Sequence, residues 1–255
     1  MIYLTGDIHG GMDIAKLSNR QFPKGKTLTR SDCVIICGDF GLPFALTDTA
    51  PESEFLTDKC KRADRKNYLH WIKWLSERSY TVLWLDGNHD NHPFWQDQPV
   101  EEWNGGLVNV HPLAENVLHL KRGEYYTIDG HTFWVMGGAA SHDREYRTEG
   151  LDWWPEELPS EAEMAHGLAT LAHHGNRVDY VLTHTLPQSL LVPVCNKIYS
   201  PDPTCAYLDK VYAATAFRYW YCGHLHMDVN HPGYRVRVLY DDVVPLGADA
   251  AETGG

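Results

Sequence analysis

Five short apolar runs in this chain each break off into residues that can hold a metal or move a proton. They end at Thr5-Gly6-Asp7, Cys37-Gly38-Asp39, Leu85-Asp86-Gly87-Asn88-His89-Asp90, Thr183-His184 and Cys222-Gly223-His224-Leu225-His226. Runs such as Val34–Ile36 and Tyr80–Leu85 are short and continuous, as buried strands are. Strand after strand delivering polar groups at its carboxyl end points to an open α/β architecture with one shared site at that edge. The recurrence carries the argument, because scattered polar residues would not fall so regularly after buried runs.

The residue types narrow the chemistry. Asp7 and His9 are two apart, so on an extended loop they point the same way and suit one divalent metal. Asn88 offers a neutral amide oxygen, His89 an imidazole, and Asp90 a carboxylate placed to orient that imidazole. The mixture of oxygen and imidazole nitrogen excludes a thiolate site.

The rest of the chain fills in around these ends. Met12–Asn19 is expected as a first helix, and Lys59–Arg78 as a longer one with Tyr68, Trp71, Ile72 and Leu75 on one face. His92-Pro93-Phe94-Trp95 opens a short helix with proline near its start. Val108–Gly138 reads as all-β, with a hairpin at Asp129-Gly130, and suggests a second, partly antiparallel sheet. Gly137–Trp154 is irregular. Ser160 caps a helix running to about His174, with Glu163 as its capping-box partner. Leu186–Pro203 is expected as a proline-containing loop, Tyr207–Ala216 as a helix and Tyr234–Tyr240 as a strand. Residues 1–246 read as one domain, followed by a frayed tail over 247–255.

Composition closes off some functions. A formal net charge of −12 repels nucleic-acid backbones and anionic membranes, so long DNA or RNA is an unfavourable partner. No stretch has the length of a membrane span or the pattern of a signal peptide. A cytoplasmic, reduced setting is expected. The six cysteines form no Cys-x-x-Cys pair and are expected as buried thiols, with a pairing of Cys195 and Cys205 left open.

In order, the five blocks resemble those of the calcineurin-like metallophosphoesterase superfamily: Asp-x-His, Gly-Asp, Gly-Asn-His-Asp, a single His, then Gly-His-x-His. The resemblance spans residues 7 to 226 and implies a four-layer αββα sandwich of two mixed β-sheets flanked by helices. It implies two divalent metal ions, with manganese expected first and iron, zinc, nickel or cobalt compatible. Asp7, His9 and His226 would hold the first ion and Asn88, His184 and His224 the second, with Asp39 bridging. His89 would be the acid, with Asp90 as its partner. Two such ions, about 3.5–4 Å apart, would bind a phosphate and generate a bridging hydroxide as nucleophile.

The expected activity is hydrolysis of a small phosphomonoester or phosphodiester, nucleotide-derived esters included. Protein phosphatases of the superfamily carry an arginine soon after the second block, where this chain has Phe40-Gly41-Leu42-Pro43. That weighs against a phosphoprotein phosphatase, which is the alternative together with a non-catalytic metal-binding scaffold of the same fold. Arg144 and Arg147 are either phosphate-gripping forks or solvated loop residues. Trp153 and Trp154 are either packing anchors or a stacking surface.

Overall fold

The computed structural model describes residues 1–44, 58–196 and 202–248, without the side chains of 58–63. Strands β1 (Ile2–Thr5), β2 (Cys33–Cys37), β3 (Thr81–Leu85) and β6 (Ala114–Leu120) run parallel, side by side. Beyond β6, strands β5 (Gly106–His111) and β4 (Val100–Trp103) add antiparallel, and β13 (Val244–Pro245) adds antiparallel to β1. The resulting seven-stranded sheet has the order β13-β1-β2-β3-β6-β5-β4.

The second sheet has six strands. Its parallel core is β8 (His131–Met136), β9 (Tyr180–Thr183), β10 (Tyr219–Cys222) and β12 (Val236–Val238). Strands β7 (Tyr125–Ile128) and β11 (Val229–His231) flank it antiparallel. The β7–β8 hairpin turns at Asp129-Gly130, whose φ values of 51° and 77° are those a primed two-residue turn demands.

Alternation of side chains explains the layering. Leu4, Ile35, Leu83 and Leu85 of the first sheet meet Phe133, Val135, Tyr180, Leu182 and Tyr221 of the second in a shared inner core. The intervening residues Tyr3, Val34, Ile36, Val82 and Trp84 face outward onto Tyr68, Ile72 and Leu75 of α1 (Asp58–Ser76). On the far side, Trp134, Val181, Trp220 and Val238 pack against Leu171 of α3 (Glu161–His173), Leu190 of α4 (Gln188–Cys195) and Leu208 of α5 (Pro203–Ala214). Both faces of both sheets are therefore covered, as their near-continuous apolar runs require. This is the four-layer αββα sandwich. Each fully buried large side chain contributes about 1.5–3 kcal/mol.

Some expectations need correction. Met12–Asn19 forms only a 3-10 turn over Ile14–Leu17. The preceding residues are spent turning the chain around His9, with Asp13 N–H donating to the Ile8 carbonyl and Met12 N–H to that of His9. Within Leu186–Pro203, α4 replaces a loop despite Pro193. Burial of Leu190, Leu191, Val194 and Cys195 outweighs a penalty of about 3 kcal/mol for the proline. In Val108–Gly138, strand β6 joins the first sheet, and only β7 and β8 open the second. The short β4, β11 and β13 carry no clear sequence pattern. Cys195 and Cys205 are both buried thiols with no disulfide between them, and Cys33, Cys37 and Cys222 are buried thiols too. The capping box of Ser160 and Glu163 is present, and α2 (His92–Gln96) begins with its proline near the start. Residues 45–57, 197–201 and 249–255, which take in most of the expected Leu42–Asp58 loop and nearly all of the tail, lie outside the described residues. Among the described residues, no helix is long and apolar enough to cross a membrane.

Candidate metal centre

The carboxyl ends of β1, β2 and β3 meet those of β9 and β10 at one edge of the sandwich. The backbone itself stitches them together. His224 N–H donates to both oxygens of Asp7, at 3.0 and 3.1 Å, and Gly223 N–H donates to the His184 carbonyl. His89 N–H donates to Asp39 Oδ1 at 2.7 Å.

Two sets of donor atoms converge there. In the first, one atom each of Asp7, His9, Asp39 and His226 all lie within 4.8 Å of one another. His9 Nε2 is 3.3 Å from Asp39 Oδ2, and His226 Nε2 is 3.3 Å from Asp7 Oδ2. In the second, His184 Nε2 lies 3.3 Å from Asp39 Oδ1 and 3.1 Å from Asn88 Oδ1. The His224 ring sits beside His184, with centroids 4.9 Å apart. Asp39 thus presents one oxygen to each set.

The far sides of the imidazoles show which nitrogen is free to ligate. His9 Nδ1 meets the Asp13 carboxylate at 2.7 Å, and His184 Nδ1 meets the Cys37 carbonyl at 3.0 Å. Both partners only accept, so both Nδ1 atoms donate and both Nε2 atoms turn inward, as metal-binding histidines do. With both rings neutral, lone pairs face lone pairs inside, an arrangement suited to cations.

Electrostatics agree. Burial disfavours a charged His9 or His184, yet Asp39 and Asp7 overcome it and raise them to about 9 and about 10. Asp39 is buried, but His184 and His9 hold its carboxyl well below the usual range. Without cations, protons on imidazole neutralise the carboxylates; a bound cation would displace them. The mixed oxygen–nitrogen set fits a borderline divalent transition metal.

The backbone is strained where the ligands stand. His9, Asp39, His224 and His226 have φ between 41° and 65°, a left-handed region that non-glycine residues enter at a cost of order 1–3 kcal/mol each. Close approach requires glycine beside several ligands, as two positions show. A Cβ on Gly38, whose φ is 102°, would lie 1.9 Å from His184 Nδ1. One on Gly87 would lie 2.1 Å from Asp39 Oδ1. The loop after β3 is also anchored from below, where Asp86 accepts from Arg122 Nε at 2.8 Å and from His119 Nε2 at 3.2 Å.

The structure parts from the sequence expectation at Asp90. Its carboxylate accepts from the N–H groups of Gly87 at 2.7 Å, Gly41 at 2.7 Å and Phe40 at 3.3 Å. It ties the second and third motif loops together and does not orient the His89 ring. Burial and the neighbouring Asp39 push its carboxyl up to about 7. Among the described residues, the group on His89 Nδ1 is Arg147, whose Nη1 is 3.2 Å away. Arg147 is itself held by Asp143, from Nε at 2.6 Å and Nη2 at 2.8 Å, and by the Asp152 carbonyl. Arg144 is exposed on the loop, 5.3 Å above the Trp153 ring. Trp154 is buried against Phe44, whose ring also approaches His89.

A family model for calcineurin-like phosphoesterases matches residues 1–228. The chain belongs to the calcineurin-like phosphoesterase family. Members of this family are metal-dependent phosphoric ester hydrolases, and this member carries a candidate metal-binding cluster at Asp7, His9, Asp39 and His226. No curated protein matches the chain.

Several supporting residues of this phosphoesterase escaped the sequence reading. Asp13 lies four residues after His9, and a carboxylate at that spacing was a readable signal. Ser141 accepts from Asn88 Nδ2 at 3.2 Å, and Glu157 accepts from Ser141. Nothing local in the sequence ties either to Asn88.

Proposed function

We propose that this chain is a dinuclear metal-dependent phosphoesterase acting on a small phosphomonoester or phosphodiester, nucleotide-derived esters included. The observation that carries the reading is Asp39, with Oδ2 facing His9 Nε2 and Oδ1 facing His184 Nε2, each at 3.3 Å. One carboxylate shared by two inward-facing imidazoles, each in its own donor set, supports a bridged pair of divalent cations. Asp7, His9 and His226 would hold one, and Asn88, His184 and His224 the other; manganese, iron, zinc, nickel or cobalt would suit. Such cations supply Lewis acidity toward phosphate oxygens and acidify water in the site.

The chain's own residues do the rest. His89 Nδ1 accepts from Arg147, which can only donate. The neutral ring therefore carries its proton on Nε2, available to a departing alkoxide. Burial and Arg147 disfavour the cationic ring, so His89 faces the leaving oxygen as a neutral Nε2–H donor. A positioned acid of this kind is worth typically about 10²–10⁴-fold. The net charge of −12 supports a small substrate over a long nucleic acid.

The test is hydrolysis of p-nitrophenyl phosphate and bis(p-nitrophenyl) phosphate by chelator-stripped protein titrated with Mn²⁺. Metal-restored turnover that falls in His89→Ala is expected. Turnover of the diester would assign a phosphodiesterase, and of the monoester alone a phosphatase. Two bound metals with no turnover of either ester would leave a narrow-specificity enzyme or a scaffold, with the balance moved toward the scaffold.

A further inference from the structure

Asn88 poses a problem of direction. A carboxamide has an oxygen end and a nitrogen end of nearly equal shape, and only the oxygen can ligate a cation. Its Oδ1 lies 3.1 Å from His184 Nε2, on the metal side, while Nδ2 turns away toward Ser141 Oγ at 3.2 Å. Something must make this orientation better than its flip.

The hydroxyl of Ser141 supplies the choice only if its own proton points elsewhere. It does: Ser141 Oγ lies 2.6 Å from Glu157 Oε2, and a carboxylate accepts. The same carboxylate takes Ser141 N–H on Oε1 at 2.9 Å. With its proton spent on Glu157, Ser141 Oγ offers Asn88 only lone pairs. An amide nitrogen is welcome there and an amide oxygen is repelled. All three side chains are buried, so water does not scramble the order. Glu157 in turn sits at the end of a short turn, Pro155–Glu157, whose carbonyls receive Arg122.

We propose that Glu157, acting through the Ser141 hydroxyl, sets which end of the Asn88 side chain faces the second cation site. Both are positioning residues for that site, separated from Asn88 by 53 residues or more in sequence. The inference rests on the metal-centre reading above.

Reversing the polarity of the chain tests it. In Glu157→Gln, Ser141 N–H still needs an acceptor, so the new amide oxygen goes to that N–H and the amide nitrogen faces Oγ. Ser141 must then turn its proton toward Asn88, which favours the flipped carboxamide. Mn²⁺ titration of chelator-stripped protein by calorimetry, with bound metal counted by elemental analysis, reads the result directly. Two ions per chain are expected in the unaltered protein. Glu157→Gln should weaken one of the two by roughly 10–100-fold, the usual loss for an outer-shell change, and leave the other. Ser141→Ala should weaken the same site. Asn88→Asp brings a negative charge to the cation but sets its outer oxygen against the lone pairs on Ser141. Combined with Glu157→Gln, where the reversed hydroxyl donates to that carboxylate, it should bind Mn²⁺ more tightly than the two single changes predict by addition; a purely structural role predicts additivity instead. Unchanged affinity in both Glu157→Gln and Ser141→Ala, or an additive double variant, would overturn the inference while leaving the metal centre intact. Absence of metal binding in the unaltered protein would instead remove the metal-centre reading, and this inference with it. Should Glu157→Gln fail to fold, Ser141→Ala decides alone: unchanged affinity overturns the inference.

Discussion

Arg147 donates from Nη1 to His89 Nδ1 at 3.2 Å, 58 residues away in sequence. The contact puts a fixed cation behind the imidazole and pins the ring with Nε2–H outward. Asp143 grips the guanidinium from its other side, so the arginine is already committed before substrate arrives.

His89→Ala should keep both metals and slow hydrolysis mainly for esters with poor leaving groups, by about 10²–10⁴-fold for phenyl phosphates. Arg147→Ala should lose a fraction of the same selectivity. The double variant should be little worse than His89→Ala, since the arginine acts through the histidine. Rates across a series of substituted phenyl esters give the readout. A raised KM with unchanged leaving-group dependence in Arg147→Ala would assign it to phosphate binding instead.

Asp39→Asn should cut metal content and turnover together. One oxygen of the shared carboxylate becomes an amide nitrogen, and the negative charge seen by both sites disappears. Metal analysis after dialysis checks it. Two tightly held metals with normal turnover would rule out the bridging role.

Gly38→Ala should destabilise the chain by well over about 1 kcal/mol, because alanine is unfavourable at positive φ and its methyl would overlap the His184 ring. Gly130→Ala is the control. Its φ of 77° carries the same backbone penalty, but nothing lies within 4 Å of the added methyl. Thermal melts of the two should differ, with Gly38→Ala the lower.

Asp179 joins the starts of β8 and β9, accepting from Thr132 N–H at 2.9 Å and from Thr132 Oγ1 at 3.0 Å. Arg218 Nε is 2.8 Å away. Burial raises its carboxyl, but these partners outweigh it and hold the pKa below the usual value. A folded-state pKa below the unfolded one gives stability that is present above about pH 3.9 and fades as pH falls through the folded value. Asp179→Asn should therefore cost stability at pH 7 and flatten the acid limb of a denaturation series. An unchanged acid limb would show that the carboxylate contributes nothing.

Much of the architecture was legible because its signals are local. Buried runs such as Val34–Ile36 announce strands, and the Asp129-Gly130 step announces its hairpin by backbone preference alone. The order of the motif blocks placed the candidate ligands at one sheet edge, because consecutive parallel strands must deliver their carboxyl ends to the same side. Elements whose stability comes from packing were harder. The α4 helix carries Pro193 against local preference, and β4, β11 and β13 exist because a neighbouring strand offers them a ladder.

The sequence by itself determined the family, the layering and which side chains crowd the site. The tertiary structure decided how each is aimed. Asp90 sits next to His89 yet serves the amides of Gly41 and Phe40, while Arg147 comes from a distant loop to hold the imidazole. His184 is turned by a carbonyl on Cys37, and Asn88 by Ser141 and Glu157. The reason is physical: apolar periodicity is written along a few consecutive residues, whereas a hydrogen bond needs a donor and an acceptor at about 3 Å, whatever the chain length between them. Which loops come that close is settled only when the two sheets pack.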